Sequence, residues 1–480
     1  MKPTHKVAVL GAGVTGLAIA QKLSEYDYSV EVFEREKRVG GLASTFKHKD
    51  FYLDYGPHKI YSQLPGVIGK IKALLGDELI EIPKSMKIRL KGKYYDYPFK
   101  ITQLLTRTGP VFAVSAAASG GIATLKDAVL SGLFKNEPKN YEEFLQRRFG
   151  GVIYDSVFKS FALKAWGDPK ELSVELAKAR IAIPSIFELV KRIVLGNMAT
   201  GAYGKEEITA KNFLYPRKGM VRFSERLAEL LEERQGKVHL NHSVKKVVLT
   251  DNKVDYLVVE HDGKEKNVKA ESVVSTLPLR VFLEMLEPRP PERVLEAVRS
   301  LQLNDMLLVY VFANRDKVLE DNWIFYPELE FSFNRLSEQK NFSSEMGPKG
   351  KTCVCAEITY DPNKELWNAS DDVVVQRVVA DLEKADVLTE EEIYDSLVVR
   401  LKNIYPKYDV RFMEKLNVVF EYLEGLTGVL TLGRQGLFNY NNTDNCLDMG
   451  QRTAEFIKSH GSKQDWKDLL KYFYSYRIVD

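Results

Sequence analysis

The stretch KVAVLGAGVTGLAIAQKLSEYDYSVEVFE, residues 6–34, decides the fold. Residues 6–10 read as a short buried strand, residues 17–23 as a helix, and residues 29–33 as a second strand that ends on Glu34. Between the first strand and the helix lies Gly11-Ala12-Gly13-Val14-Thr15-Gly16. Strand, glycine turn, helix, strand and acid, in that order, are the parts of a dinucleotide-binding βαβ unit. Gly11 permits the tight turn, Gly13 lets backbone N–H groups approach a pyrophosphate, and Gly16 lets the helix pack closely on its strand. The helix N-terminus, with Thr15 in its first turn, turns a partial positive charge toward the phosphates. Glu34 is placed to accept hydrogen bonds from a ribose, and Arg35 beside it is counted with the cofactor-binding residues.

Arg38-Val39-Gly40-Gly41-Leu42-Ala43-Ser44 comes directly after the acid. A plain NAD domain has no need of a second glycine pair here. A protein that buries FAD along its length does, because the chain must pass close to the ribose and pyrophosphate, so Gly41, Leu42 and Ala43 join the predicted FAD contacts. At this point the chain resembles the large FAD family that contains amine oxidases, phytoene desaturases, protoporphyrinogen oxidase and UDP-galactopyranose mutase.

Bulk properties set limits. The 480 residues suffice for two domains and a large core. A net charge of +3 is too small to argue for nucleic acid or an anionic surface, and no Lys/Arg cluster interleaved with aromatics suits a single strand. Cys353, Cys355 and Cys446 form neither a disulfide framework nor a zinc spacing. With the nucleotide fold opening at residue 6 there is no room for a signal peptide, so the expected compartment is the reducing cytoplasm. Residues 108–125 carry no charge, but they are rich in Ala, Ser and Gly and contain Pro110. They fall short of a membrane span and read as a buried or partner-facing helix, with peripheral contact to lipid left open.

Further motifs tie the chain most closely to the mutase branch of that family. DFYLDYGPHKIYS, residues 50–62, resembles the mutase YGPH segment, which implies that His58 lies against the flavin and tunes its N5 chemistry. Residues 87–99 alternate as a hairpin about Gly92, bringing Tyr94, Tyr95 and Tyr97 toward the substrate side. Residues 141–180 read as three helices, with Asp168-Pro169 as the start signal of the last. Trp166 matches a mutase tryptophan that stacks near the sugar nucleotide, and Arg180 the first of an arginine pair. The second arginine of the pair falls on Pro184, so a diphosphate-gripping guanidinium is missing there. Arg217 and Arg222 are substitutes by position in the chain only.

Residues 238–248 read as a strand pair in which Val244 matches an adenine-contacting valine. Arg335 takes the place of an arginine that binds the substrate diphosphate, with Glu338, Lys340 and Phe342 at matching offsets. Gly433-Arg434 through Asp444 resembles the mutase segment where the last helix meets the flavin. There Tyr440 matches by position, and Gly433, Arg434, Asp444, Asn445 and Cys446 become cofactor contacts.

The fold class implied is α/β, with a discontinuous Rossmann-like FAD domain (1–70, 205–285, 415–480) and a mixed-sheet, helical substrate domain (71–204, 286–414). The resemblance implies a mutase-like flavoenzyme acting on a nucleotide-activated sugar in surface-glycan synthesis, with flavin N5 at the reacting carbon. His58, Arg335, Tyr440 and Trp166 are its catalytic candidates, and no metal is expected. The alternative is an oxidoreductase of the amine-oxidase or protoporphyrinogen-oxidase kind, which abstracts hydride from a small or lipophilic substrate.

Overall fold

β1 (Lys6–Leu10) occupies the centre of a five-stranded, fully parallel sheet. Its neighbours are β2 (Ser29–Phe33) and Ser272–Ser275, and the flanks are Lys237–His239 and Val429–Thr431. The sheet therefore collects strands from three distant parts of the chain. The structure is a computed structural model and describes residues 5–97, 103, 107, 109–132, 136–180, 211–359 and 364–478. Pro184, with the rest of residues 181–210, lies outside the described residues, as do Phe99 and Tyr360.

α1 (Val14–Ser24) and the Val221–Glu233 helix cover one another beside this sheet, and Thr443–Lys458 packs along α1. That last contact is close. A Cβ on Gly450 would come within 2.8 Å of the Ala18 methyl, so only glycine lets the two helices approach so far. The continuous apolar run of residues 306–313, buried on both faces, belongs to a second, seven-stranded mixed sheet. Its order is Ile393–Pro406, Leu303–Ala313, Thr352–Ile358, Arg335–Glu338, Trp323–Phe325, Met86–Leu90 and Lys93–Asp96. One pairing in it, Trp323–Phe325 with Met86–Leu90, is parallel and the others are antiparallel. Leu308, Tyr310, Cys353 and Cys355 from this sheet share a buried cluster with Phe51 and Leu53, and Leu42 and Tyr55 pack against it. The second sheet thus sits directly over the glycine-rich end of the first.

Two local readings need correction. Residues 238–248 do not form a strand pair: Lys237–His239 joins the parallel sheet, while Ser243–Thr250 pairs with Lys253–His261 in a separate four-stranded sheet. The helix expected to start at Asp168-Pro169 starts at Val174, because Leu172 is drawn into a bridge with Asp409. The Trp323 strand is short and ends at Phe325, beyond which Tyr326 meets Phe331 and Phe333 edge to face. Residues 110–132 form one helix, and among the described residues no helix is long and apolar enough to cross a membrane.

Candidate functional site

The carboxyl ends of the parallel strands are bound together by their glycines. Gly11 takes φ +98°, its N–H donates to the Phe33 carbonyl at 2.9 Å, and a Cβ there would meet Thr276 Oγ1 at 2.6 Å. Thr276 in turn donates from both N–H and hydroxyl to the Leu10 carbonyl, each at 2.9 Å. A Cβ on Gly16 would fall 2.1 Å from the Gly11 carbonyl oxygen. Gly40 (φ +110°) donates to the Ala12 carbonyl at 2.8 Å, and Gly41 lies against Gly13, so the two glycine loops form one cradle. Gly13 is different: a Cβ there would meet no atom within 4 Å, so this side of the loop faces open space next to the α1 N-terminus.

Glu34 closes the cradle. Its carboxylate accepts from the Ala12 N–H at 2.9 Å and from the Glu36 N–H at 3.0 Å. Its carbonyl accepts from the His242 N–H, which brings Val244, buried on the next strand, to the same end. Leu42 and Ala43 form the short turn that carries the cradle toward the second sheet. Arg35 is on the surface with its side chain on Glu36, outside this cluster.

Opposite the cradle, Gly433 approaches Thr15, whose Oγ1 would be 3.3 Å from an added Cβ, and its N–H reaches Met449 Sδ at 3.1 Å. Burial pushes the Cys446 thiol up to about 11, against a hydrogen bond with Thr15. Asn445 is spent on a cap: its side chain accepts from the Asn442 N–H at 2.9 Å. These residues fit a long dinucleotide. The cradle offers backbone donors and a helix terminus at Gly13, and the Thr443–Lys458 helix presents its own N-terminus from the other side.

Asp444, in the first turn of that helix, is raised by burial from 3.8 to about 6, opposed by hydrogen bonds from Ser62 and the Asn445 N–H and by the charge of Lys59. Between these values the folded chain holds a proton the unfolded chain has lost, so stability falls as pH rises through the window and is level above it. The buried charge costs about 3 kcal/mol at neutral pH. Asp444→Asn is accordingly expected to raise the melting temperature at about pH 7, with the gain gone by about pH 4. Thermal unfolding of both proteins across that range measures it.

His58 sits under the second sheet. Its Nδ1 lies 3.2 Å from the Gly56 carbonyl, which can only accept, so Nδ1 carries the proton and Nε2 is left as an acceptor. Burial lowers its pKa, Asp54 opposes and Arg335 assists, so the imidazole is neutral at neutral pH. Arg335 donates to Glu357 at 2.8 Å, and Glu357 is buried to 1%. Gly56 has no Cβ to spare, since one would meet Glu357 Oε1 at 2.7 Å. Asp54 was not singled out by sequence reading, although it stands just before the Tyr55-Gly56-Pro57 bend. It is fully buried and accepts from Thr45 at 2.5 Å, Tyr215 at 2.5 Å and the Met220 N–H at 3.2 Å.

From Arg335 an aromatic wall leads across the site. The Arg335 guanidinium lies over Phe325, which meets Tyr97 and Phe161, and Phe161 meets Trp166 edge to face. The Trp166 indole hydrogen-bonds to Tyr440. The Tyr440 hydroxyl itself donates to the Pro406 carbonyl at 2.7 Å, so this residue offers the site its ring. Two guanidiniums lie over that ring, Arg180 at 5.4 Å and Arg434 at 5.5 Å, and Arg434 also lies 4.7 Å from the ring centre of Tyr405. Arg434 makes no ion pair among the described residues, and its Nε is buried without a hydrogen bond. Lys164 holds the wall to the Arg335 strand by donating to the carbonyls of Tyr326, Glu328 and Phe333 at 2.6, 2.9 and 2.6 Å.

The proposed substitutes for the missing arginine are elsewhere. Arg217 binds the Asp77 carbonyl and Glu345, and Arg222 is consumed by Glu78, Glu225 and Glu229. Glu338 and Lys340, matched by offset to Arg335, are structural as well: Glu338 accepts from the Val318 and Leu319 N–H groups, and Lys340 donates to the Pro348 and Lys351 carbonyls. Tyr94 pairs with Tyr326 and Tyr95 is core, which leaves Tyr97 as the hairpin tyrosine on the wall.

Comparison with known proteins agrees with this geometry. The model of a family described as flavin containing amine oxidoreductase matches residues 14–411. The chain is 23% identical over 437 residues to a probable UDP-galactopyranose mutase of Klebsiella pneumoniae, covering 88% of this chain and 95% of that one. It is also 23% identical over 433 residues to the chloroplastic protoporphyrinogen oxidase of Nicotiana tabacum, covering 84% and 76%. The fold matches that of reduced UDP-galactopyranose mutase with a TM-score of 0.81 at 17% identity, over 99% of this chain and 98% of that one. Putrescine oxidase bound to putrescine matches at 0.63, with 17% identity over 95% and 99%.

Proposed function

Since the chain belongs to the family of flavin containing amine oxidoreductases, and so is an FAD-dependent enzyme, we propose that it acts on a nucleotide-activated sugar in the manner of a mutase. The observation that carries this reading is Arg434. A guanidinium with no ion-pair partner among the described residues, lying over two tyrosine rings, calls for an anion that carries a flat ring. Arg180 on the same ring extends the positive field, while Arg335 across the wall is paired with Glu357, and Arg434 fills the electrostatic role for which Pro184 has no group. A diphosphate would lie between these cations with its base or sugar on Tyr405, Tyr440 and Trp166.

Bound FAD supplies a centre at N5 that can form a bond to carbon or accept hydride. The chain would hold the rest. Neutral His58 would present Nε2 as an acceptor toward that centre. The Arg335–Glu357 pair fixes the upper wall, and the Thr443–Lys458 N-terminus favours negative charge near Asp444. In this reading residues 1–70, 205–285 and 415–480 hold the cofactor, and 71–204 and 286–414 shape the substrate side.

The test is to incubate nucleotide sugars with dithionite-reduced and with oxidised enzyme under anaerobic conditions, following products by chromatography. Ring-isomerised product from the reduced enzyme is expected. Arg434→Ala should weaken nucleoside-diphosphate binding roughly 10- to 100-fold with flavin retained. Unchanged binding would remove the argument. The second reading, hydride abstraction from a lipophilic donor, is favoured by the apolar part of the wall, Phe325, Phe161 and Trp166. Bleaching of the oxidised flavin by such a donor, with no nucleotide binding, would establish it.

A further inference from the structure

The Pro110–Gly132 helix is packed the wrong way round for a helix in water. Its inner side is made of small residues: Ala116 and Gly120 are buried, and Ser119 and Gly120 lie so near Gly150 that a Cβ there would come within 2.6 Å of the Ser119 carbonyl carbon. Its outer side carries the large apolar groups. Val111 is 79% exposed, Val114 69%, Ile122 57% and Leu125 71%. With Ala118 exposed between them, these positions recur at three- and four-residue spacing and lie on one face. Four of the exposed large apolar side chains of the described chain are therefore gathered on one helix.

Along the chain that leads into this helix the charge is one-sided. From Lys84 to Lys126 the chain has Lys84, Lys87, Arg89, Lys91, Lys93, Lys100, Arg107 and Lys126 against one acid, Asp96. Lys87 and Arg89 are engaged with Asp321 and Glu328. Others gather at the start of the helix. Lys91 Nζ lies 5.2 Å from the Phe112 ring centre, Lys93 donates to the Arg107 carbonyl at 2.9 Å, and Arg107 donates back to the Tyr94 carbonyl. Exposed Lys126 marks the other end of the face, and the acid after it, Asp127, is turned to Arg147 at 3.6 Å. The small net charge of the whole chain conceals this local excess.

We propose that this helix face docks on an anionic lipid surface, lying in the interface with its valines, Ile122 and Leu125 among the acyl chains and Lys91, Lys93, Arg107 and Lys126 at the headgroups. An apolar stripe with a cationic rim is the pattern of an interfacial helix, and the basic residues add attraction to negative headgroups. A second copy of the chain fits less well, because a twofold contact through this face would bring the two basic rims together. The proposal is independent of the reading of the substrate.

The experiment uses full-length protein with its flavin. It is mixed with vesicles of phosphatidylcholine alone and with vesicles containing phosphatidylglycerol, and the bound fraction is read after flotation. Binding to the anionic vesicles, reduced by salt, is expected. The combined variant Val114→Gln, Ile122→Gln, Leu125→Gln should lower the partition at least about tenfold, and Lys91→Glu with Lys126→Glu should abolish the preference for anionic lipid. Both sets of substitutions are on the surface, so flavin absorbance and melting temperature should stay at the wild-type values. Wild-type protein left in the aqueous fraction with both vesicles overturns the proposal, and so does binding unaltered by the three glutamines. Sedimentation showing a dimer that those glutamines convert to a monomer, without vesicle binding, would assign the face to a second copy instead.

Discussion

Gly16→Val is expected to yield protein without visible flavin absorbance. The added Cβ would lie 2.1 Å from the Gly11 carbonyl oxygen and 3.3 Å from its carbon, and both are backbone atoms that cannot rotate away. Relief requires α1 to move off β1, and α1 is buried on nearly every side, with Gly450 of the last helix already against Ala18 and Ile19. Overpacking of this kind costs about 1–3 kcal/mol in stability. The loss of flavin should be larger, because the phosphate-facing N-terminus moves with the helix, and an FAD affinity at least about 100-fold weaker is expected. Gly13→Ala separates the two effects. Its Cβ meets no protein atom within 4 Å and its φ is −75°, so thermal unfolding should match wild type while FAD titration shows weakened binding. Full FAD affinity in Gly13→Ala would mean that no phosphate passes over that residue.

Asp54→Ala should be the most damaging single change to stability outside the glycine cradle. It leaves three donors without their acceptor in a fully buried space: the Thr45 and Tyr215 hydroxyls and the Met220 N–H. Each unmet donor costs about 1–3 kcal/mol, so a total of about 3–5 kcal/mol is expected after local relaxation. The effect also spreads, because Thr45 accepts from the Val221 N–H at the start of a helix and Tyr310 binds the Asp54 carbonyl from the second sheet. Asp54→Asn keeps one carbonyl oxygen and should lose much less. Denaturant midpoints of the two variants, compared with wild type, give the difference directly.

The parts of the site that were legible in the sequence are those written in short stretches. The two glycine loops need each residue at a fixed offset from its neighbours, so Gly11, Gly13, Gly16, Gly40 and Gly41 could be read without knowing the fold. The fold class followed, because a βαβ start commits the chain to a parallel sheet. What could not be read are the partnerships between distant residues. Nothing near Arg335 announces Glu357, and nothing near Trp166 announces that Lys164 will be surrounded by three carbonyls from residues 326–333. Arg217 and Arg222 stood as substitutes for the missing arginine by chain position until their carboxylates were seen. The strand-pair error at residues 238–248 has the same origin: two short strands separated by a turn look like a hairpin, yet Val238 pairs with Val32. Helix start signals fail likewise when a tertiary bridge, here Leu172 with Asp409, claims the first residues.

The placement of Val429–Thr431 beside Ser272–Ser275 has a consequence for how the protein is made. β1 is made long before Val429–Thr431, and the sheet it centres gains its last strand only when residue 431 has emerged. At about 5–20 residues per second that interval is on the order of a minute. Throughout it the nascent chain carries an open parallel edge and half of a cofactor cradle, with Gly433 and the last helix still to come. The complete cofactor site is therefore assembled late, and a helper that shields the unpaired edge would act on this chain longer than on one whose sheet is built from consecutive strands.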